Sequence, residues 1–269
     1  MGQLVRIGMM CLLIAGWRAA WAGTPVAVFP IDESSITQIL KQHSLASAEV
    51  DDPVYKRKQR YEGIWLADVL RGLGHGGRAE SDLYVRFRCK DGYLPMMPLA
   101  RAMGAKGLIA IRDVNAPQGE TWQVLHQNGS SSNPAPSYLV WLSPAGDPEE
   151  YPWPYQMTTI ELISASDALA AGLESDGSKP GHELFLRHCV KCHAINGVGG
   201  TFGPELNSPC SVTEYWNPRL LSQFIANASS VRAGTKMPDF DSLPQTEIQL
   251  IVAYLKSMAG EKKPGAACP

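Results

Sequence analysis

The sequence predicts a two-domain chain, an α+β domain followed by a smaller all-α domain. Three observations carry this. Leu83-Tyr84-Val85-Arg86-Phe87-Arg88-Cys89 alternates in polarity like a strand, among mixed helix and strand patterns that end near residue 165. From Ser164 to Pro180 the residues turn small, polar and Gly-containing, with no aromatic side chain, which is linker composition. Beyond it, Ile248, Ile251, Val252 and Leu255 recur at helical spacing. The 269 residues, 45% of them hydrophobic, suffice for two ordinary domains. The expected divisions are a leader at 1–22, the α+β domain at 23–165, the linker at 166–180, the all-α domain at 181–262 and a tail at 263–269.

The leader has the pattern of a signal peptide. Arg6 supplies the positive start, Ile7 to Trp17 a short apolar run, and Ala20-Trp21-Ala22 a small-x-small cleavage site. The run is too short to span a bilayer comfortably, though retention as an anchor is the alternative. Cys11 lies within it, but the preceding Ile-Gly-Met-Met is not a lipoprotein signal. No other long apolar run follows, so no membrane span is expected after cleavage. Losing Arg6 and Arg18 takes the formal charge from −2 to −4. No basic excess remains to suggest nucleic acid.

In the α+β domain, Ile64 to Leu73 reads as a helix, with Ile64, Leu66, Val69, Leu70 and Leu73 on one face. Leu83 to Cys89 reads as a strand, and Asp91-Gly92 as the turn after it. Leu108 to Ile111, Tyr138 to Leu142 and Thr158 to Ile163 read as further strands. The basic run Lys56-Arg57-Lys58-Gln59-Arg60 reads as a solvated strip, or as a docking patch for an acidic partner. His126 reads as a loop or satisfied core histidine, Trp153 and Tyr155 as core cover, and Cys89 as a buried small residue.

The all-α domain carries the most informative segment, Cys189-Val190-Lys191-Cys192-His193. Two cysteines separated by two residues and followed by histidine read as a covalent c-type haem attachment site. Positions three apart share a helix face, so both thiols reach one porphyrin, and His193 follows as the proximal iron ligand. A redox dithiol or half of a zinc site is the plainer alternative, but neither requires the histidine, and no second Cys-x-x-Cys is present. Bacterial c-type haem is attached outside the cytoplasmic membrane, so the motif and the leader support each other. A first helix is expected from near Gly181 to the cysteines, and a last one from Leu243 or Pro244 to Met258. Gly181 would let Tyr254 approach closely.

Within Gly234-Thr235-Lys236-Met237-Pro238-Asp239-Phe240, Met237 is the expected sixth ligand, a soft neutral donor on a loop stiffened by Pro238. Met258, His182 and His188 are the alternatives. The Gly199-Gly200-Thr201-Phe202-Gly203-Pro204-Glu205-Leu206 loop offers the Pro204 carbonyl to orient His193. Cys89, Cys210 and Cys268 remain, an odd number, and a Cys210–Cys268 bridge is left open.

In this order, Cys189–His193, Gly203-Pro204-x-Leu206 and Met237-Pro238 before an aromatic-containing terminal helix resemble a class I cytochrome c domain. The resemblance covers about 80 residues and implies a small α-helical fold around one covalent haem c. Tyr61-Glu62-Gly63-Ile64, Leu66-Ala67-Asp68-Val69-Leu70, Asp91-Gly92-Tyr93 and Leu108-Ile109-Ala110 resemble the sulfite-oxidase-like, molybdopterin-binding fold, with Trp153-Pro154 before Ile160-Glu161 fitting its end. That family holds molybdenum through an upstream cysteine, and residues 23–88 contain none. The missing thiolate argues against molybdopterin here.

The reading is a periplasmic monohaem cytochrome of a Gram-negative bacterium, carrying single electrons between redox proteins such as a dehydrogenase or terminal oxidase. The N-terminal domain would serve docking. A molybdopterin-dependent oxidoreductase passing electrons from a small substrate to its own haem is the rival.

Overall fold

The structure, a computed structural model, describes residues 24–127, 130–144, 147–169 and 179–262. The leader, most of the linker, and the tail with Cys268 lie outside the described residues. The chain begins with β1 (Ala27–Pro30), α1 (Glu33–Leu40), β2 (Ala46–Asp52), β3 (Arg57–Trp65) and α2 (Leu66–Gly72). β4 (Leu83–Cys89), β5 (Met96–Pro98), α3 (Leu99–Gly104) and β6 (Gly107–Asp113) follow. β7 (Leu125–Gln127), β8 (Ser130–Ser132), β9 (Tyr138–Trp141), β10 (Met157–Ser164) and α4 (Ala165–Ala168) come next.

Two four-stranded antiparallel sheets form, ordered β1-β10-β4-β5 and β2-β3-β6-β9. Strand alternation explains the burial. Val85 and Phe87 of β4, Ile160 and Leu162 of β10, and Ile109 and Leu139 of the second sheet face one core, closed by Leu66, Val69 and Leu70 of α2. Leu108, Ala110, Tyr138 and Val140 face the other way, into a second cluster with Tyr61 and Trp122. With both faces covered, all four residues of β9 are buried.

The helix expected over Ile64–Leu73 starts later, at Leu66. Ile64 and Trp65 remain in β3, paired with Ile109 and Leu108. A register shift between Glu62 and Gly63 continues the strand past the point where helical spacing begins. Of the basic run, Lys58 pairs with Asp51 and Arg60 with Glu49 of β2 through exposed side chains, while Gln59 is buried.

The first sheet holds a buried ion pair. Arg86 and Glu161 are cross-strand partners on β4 and β10. Arg86 Nη2 lies 2.5 Å and Nε 2.6 Å from Glu161 Oε2, and Arg88 Nε donates to Oε1 at 2.5 Å. Arg86 is 1% exposed and Glu161 5%.

The C-terminal part comprises α5 (Lys179–His188), β11 (Ala194–Ile195), β12 (Val198–Gly199), α6 (Val212–Tyr215), α7 (Pro218–Ala226), α8 (Ala228–Val231) and α9 (Gln245–Met258). It is helical apart from the short β11-β12 ribbon, which the all-α expectation did not contain. The ribbon forms where Asn196 and Gly197 both take positive φ and turn the chain back on itself. α5 begins at Lys179 and so takes the last two residues assigned to the linker, while α4 takes the first ones. α5 crosses α9 at Gly181, where a Cβ would stand 2.2 Å from the Leu250 carbonyl oxygen and 2.7 Å from Tyr254 Cβ. Only glycine permits this approach. Among the described residues, no helix is long and apolar enough to cross a membrane.

Glu161→Ala takes from the buried Arg86 the carboxylate that faces it across the sheet. It is expected to cost about 3–5 kcal/mol in denaturant unfolding, largely recovered by an Arg86→Met, Glu161→Leu double variant. A single-variant loss below about 1 kcal/mol would refute this role for the pair.

Candidate functional site

The Cys189–His193 segment continues α5 as one further helical turn. Cys189 N–H donates to the Phe185 carbonyl at 2.8 Å, and His193 N–H to the Cys189 carbonyl at 2.9 Å. The turn therefore presents both cysteines and the histidine to one cavity of about 570 Å³. Pro204 and Met237 line the same cavity, so the five residues singled out in the sequence meet there. Its remaining wall is mainly apolar, with Phe185, Leu206, Ile225 and Leu255 among the contributors. The size and lining are those of a cofactor site.

His193 is oriented. Its Nδ1 lies 2.8 Å from the Pro204 carbonyl oxygen, which can only accept, so Nδ1 carries the hydrogen and Nε2 keeps its lone pair. Burial holds this imidazole below its ordinary pKa, partly offset by the bond to Pro204. A neutral ring is the form that ligates a metal. Gly203 lies against it, where a Cβ would stand 2.4 Å from His193 Cε1.

Burial pushes the Cys189 thiol up to about 12 and the Cys192 thiol up to about 11. A reactive dithiol needs the opposite shift. Among the described residues, no group of three or more His, Cys, Asp and Glu side chains is placed to hold a metal ion. The set fits a haem better: two neutral thiols, an imidazole and a thioether around an apolar cavity.

Met237 is half-buried on a pinned loop. Asp239 accepts from the Ser229 backbone N–H at 2.9 Å and its hydroxyl at 2.8 Å, and Phe240 N–H donates to the Ala226 carbonyl at 3.1 Å. Of the alternative ligands, Met258 is buried in the α9 core, and His182 packs on Tyr254 with ring centroids 5.3 Å apart. His188 does open onto the cavity, but its Nδ1 lies 3.0 Å from Glu149 of the N-terminal domain. Cys210 is disulfide-bonded.

Two features escaped the sequence reading. The first is Glu205. Its Oε1 accepts from the N–H groups of Asn196, Asn207 and Ser208 at 2.9, 2.8 and 3.2 Å, and its Oε2 from Gly197 at 2.9 Å. This carboxylate ties the β11-β12 turn to the loop that carries the Pro204 carbonyl. The second is the docking of the N-terminal domain. Leu94 N–H donates to the Lys191 carbonyl at 2.8 Å, and Thr201 N–H to the Gly92 carbonyl at 2.9 Å. A Cβ at Gly92, whose φ is +89°, would stand 2.3 Å from Thr201 Oγ1. The Asp91-Gly92 turn signal was visible in the sequence, but its partner was not.

Residues 177–255 match the family of cytochrome c oxidase, cbb3-type, subunit III. The chain is 25% identical over 213 residues to the cytochrome c subunit of alcohol dehydrogenase (quinone) from Gluconacetobacter polyoxogenes, and equally to that of Komagataeibacter europaeus. These matches cover 75% of this chain but only 40% of each relative's length. Cytochrome c oxidase subunit 2 of Alkalihalophilus pseudofirmus is 25% identical over 105 residues, covering 34% of this chain and 31% of that protein. The C-terminal part is thus a cytochrome c domain, which binds haem and belongs to electron transfer.

Glu205→Ala strips four backbone donors of a charged acceptor. Thermal unfolding of the haem-loaded protein is expected to show a loss of about 3 kcal/mol, with Glu205→Gln intermediate. An unchanged melting temperature would remove Glu205 from this role.

Proposed function

We propose that the chain is an exported monohaem c-type cytochrome carrying single electrons between periplasmic redox proteins. The convergence of Cys189, Cys192, His193, Pro204 and Met237 on one cavity carries this reading. Cys189 and Cys192 would bond the porphyrin, His193 would ligate iron through Nε2, and Met237 would supply the opposite ligand. Haem so held supplies one-electron exchange, and Met/His ligation raises its potential. The residues hold and orient: Pro204 fixes the imidazole, the Asp239–Ser229 bonds steady the thioether loop, and the apolar wall excludes water.

The relatives' names support the choice of partner class. A dehydrogenase or an oxidase would exchange electrons with this domain. The N-terminal domain, which resembles the sulfite-oxidase-like fold in its motifs, is the docking module of the proposal. Its residues do not fit a molybdenum centre. Cys89 is the one cysteine between residues 24 and 165. It is 8% exposed inside the core, and burial raises its thiol far above the ordinary value. It also follows the Tyr61–Leu70 segment, whereas the resemblance places the metal-holding cysteine upstream of it.

Methionine ligation gives ferric haem a weak red-edge absorption band. The band is expected in the wild-type protein and absent in Met237→Ala, which would also take up carbon monoxide when reduced. A band that survives the substitution eliminates Met237. For export, N-terminal sequencing of protein from the periplasmic fraction is expected to begin at Gly23. Recovery only from the cytoplasm, with residues 1–22 intact, would refute it.

A further inference from the structure

A second cavity, of about 710 Å³, opens between the two domains beside the haem motif. The N-terminal domain contributes Tyr55, Lys56, Trp153 and Tyr155, and the cytochrome domain contributes Cys192 and Lys236. Cys192 and Lys236 also line the haem cavity, and the electron-carrier reading gives the other four no role. We propose that this cleft binds a small organic anion built on an aromatic ring, such as an aromatic carboxylate or sulfonate.

The walls are pre-organised. Asp52, 2% exposed, lies beneath the turn that presents Tyr55 and Lys56. Its carboxylate accepts from the N–H groups of Val54 and Tyr55, both at 2.8 Å, and from the hydroxyls of Tyr61 at 2.8 Å and Tyr138 at 3.3 Å. The Tyr55 hydroxyl donates to the Gln123 carbonyl at 2.9 Å. Tyr138 in turn packs on Trp153 and Tyr155, with ring centroids 6.1 and 6.3 Å apart. One buried carboxylate thus braces the turn and the tyrosine behind the aromatic wall. Rings fixed before a ligand arrives lose little entropy when it stacks on them.

The charge selects an anion. The chain as a whole is acidic, at −2. The cleft nevertheless has a lysine on each side, Lys56 from one domain and Lys236 from the other, against one lining carboxylate, Asp91. Among the described residues no carboxylate forms a salt bridge with either lysine. Lys236 lies over the Phe202 ring at 6.0 Å. Asp91 already accepts the Tyr93 N–H at 3.0 Å. Lys56 adopts φ +55°, a conformation that glycine or asparagine takes at less cost, so the turn carries a cation where its backbone favours another residue.

The test is calorimetric titration of the full haem-loaded protein with 2-naphthalenesulfonate, which reads binding without reference to electron transfer. One saturable site with a dissociation constant below about 1 mM is expected. Lys56→Glu should weaken it about tenfold, Lys56→Gln by less, and the distant Lys41→Glu not at all. Neutral 2-naphthalenemethanol should bind about tenfold more weakly than the sulfonate, and added salt should narrow the difference. The proposal fails if no saturable heat is seen, if the neutral compound binds equally well, or if Lys56→Glu leaves the affinity unchanged.

Discussion

Everything in the cytochrome domain turns on one hydrogen bond, from His193 Nδ1–H to the Pro204 carbonyl. An imidazole has two nitrogens, and only the one without hydrogen offers a lone pair. A carbonyl acceptor fixes which one that is. The surrounding structure serves the bond from both sides. The helical turn after α5 sets the position of the ring, and Glu205, with four backbone donors, sets the position of the loop. The absent side chain at Gly203 lets the loop lie flat on the imidazole. Ring and acceptor are thus placed independently, and neither relies on the haem to bring them together.

The two domains meet at the same segment. Lys191 lies between the two cysteines, and its carbonyl accepts from Leu94 of the N-terminal domain. Thr201, in the loop that leads to Pro204, donates to Gly92. Movement of one domain against the other would therefore strain the peptides that position the haem motif. On the proposed reading, such contacts would hold a partner bound to the N-terminal domain at a set distance from the cavity. Glu149 beside His188 adds a third contact, at 3.0 Å. His188 faces Lys191 and Arg187 as well, and burial keeps its imidazole below the ordinary pKa despite Glu149.

What the sequence disclosed was local. Cys189 to His193 is legible because its spacing is that of a haem-attachment motif, and β4 because polarity alternates along its seven residues. α9 was legible from its apolar stripe, and the Gly181–Tyr254 crossing from a small residue opposite a large one. What stayed hidden was pairing at a distance. Arg86 and Glu161 are 75 residues apart, and neither shows in one dimension that it will be buried with the other. Glu205 looked like one more acid in a Gly-rich loop, since its four donors are backbone groups and leave no side-chain signature. The α2 boundary was misplaced because Ile64 satisfies the helical period and the strand register at once, and pairing with Ile109 decided for the strand.

The docking geometry also decides which sides of the haem cavity remain open. The Asp91–Leu94 turn covers the flank near Cys192 and Thr201, leaving there the aromatic cleft that ends at Cys192. Tyr215 lines the cavity and is 57% exposed, and Leu220 is 43% exposed. On the proposed readings a redox partner would be held by the N-terminal domain and the small anion between the domains, at the flank the Asp91–Leu94 turn leaves open.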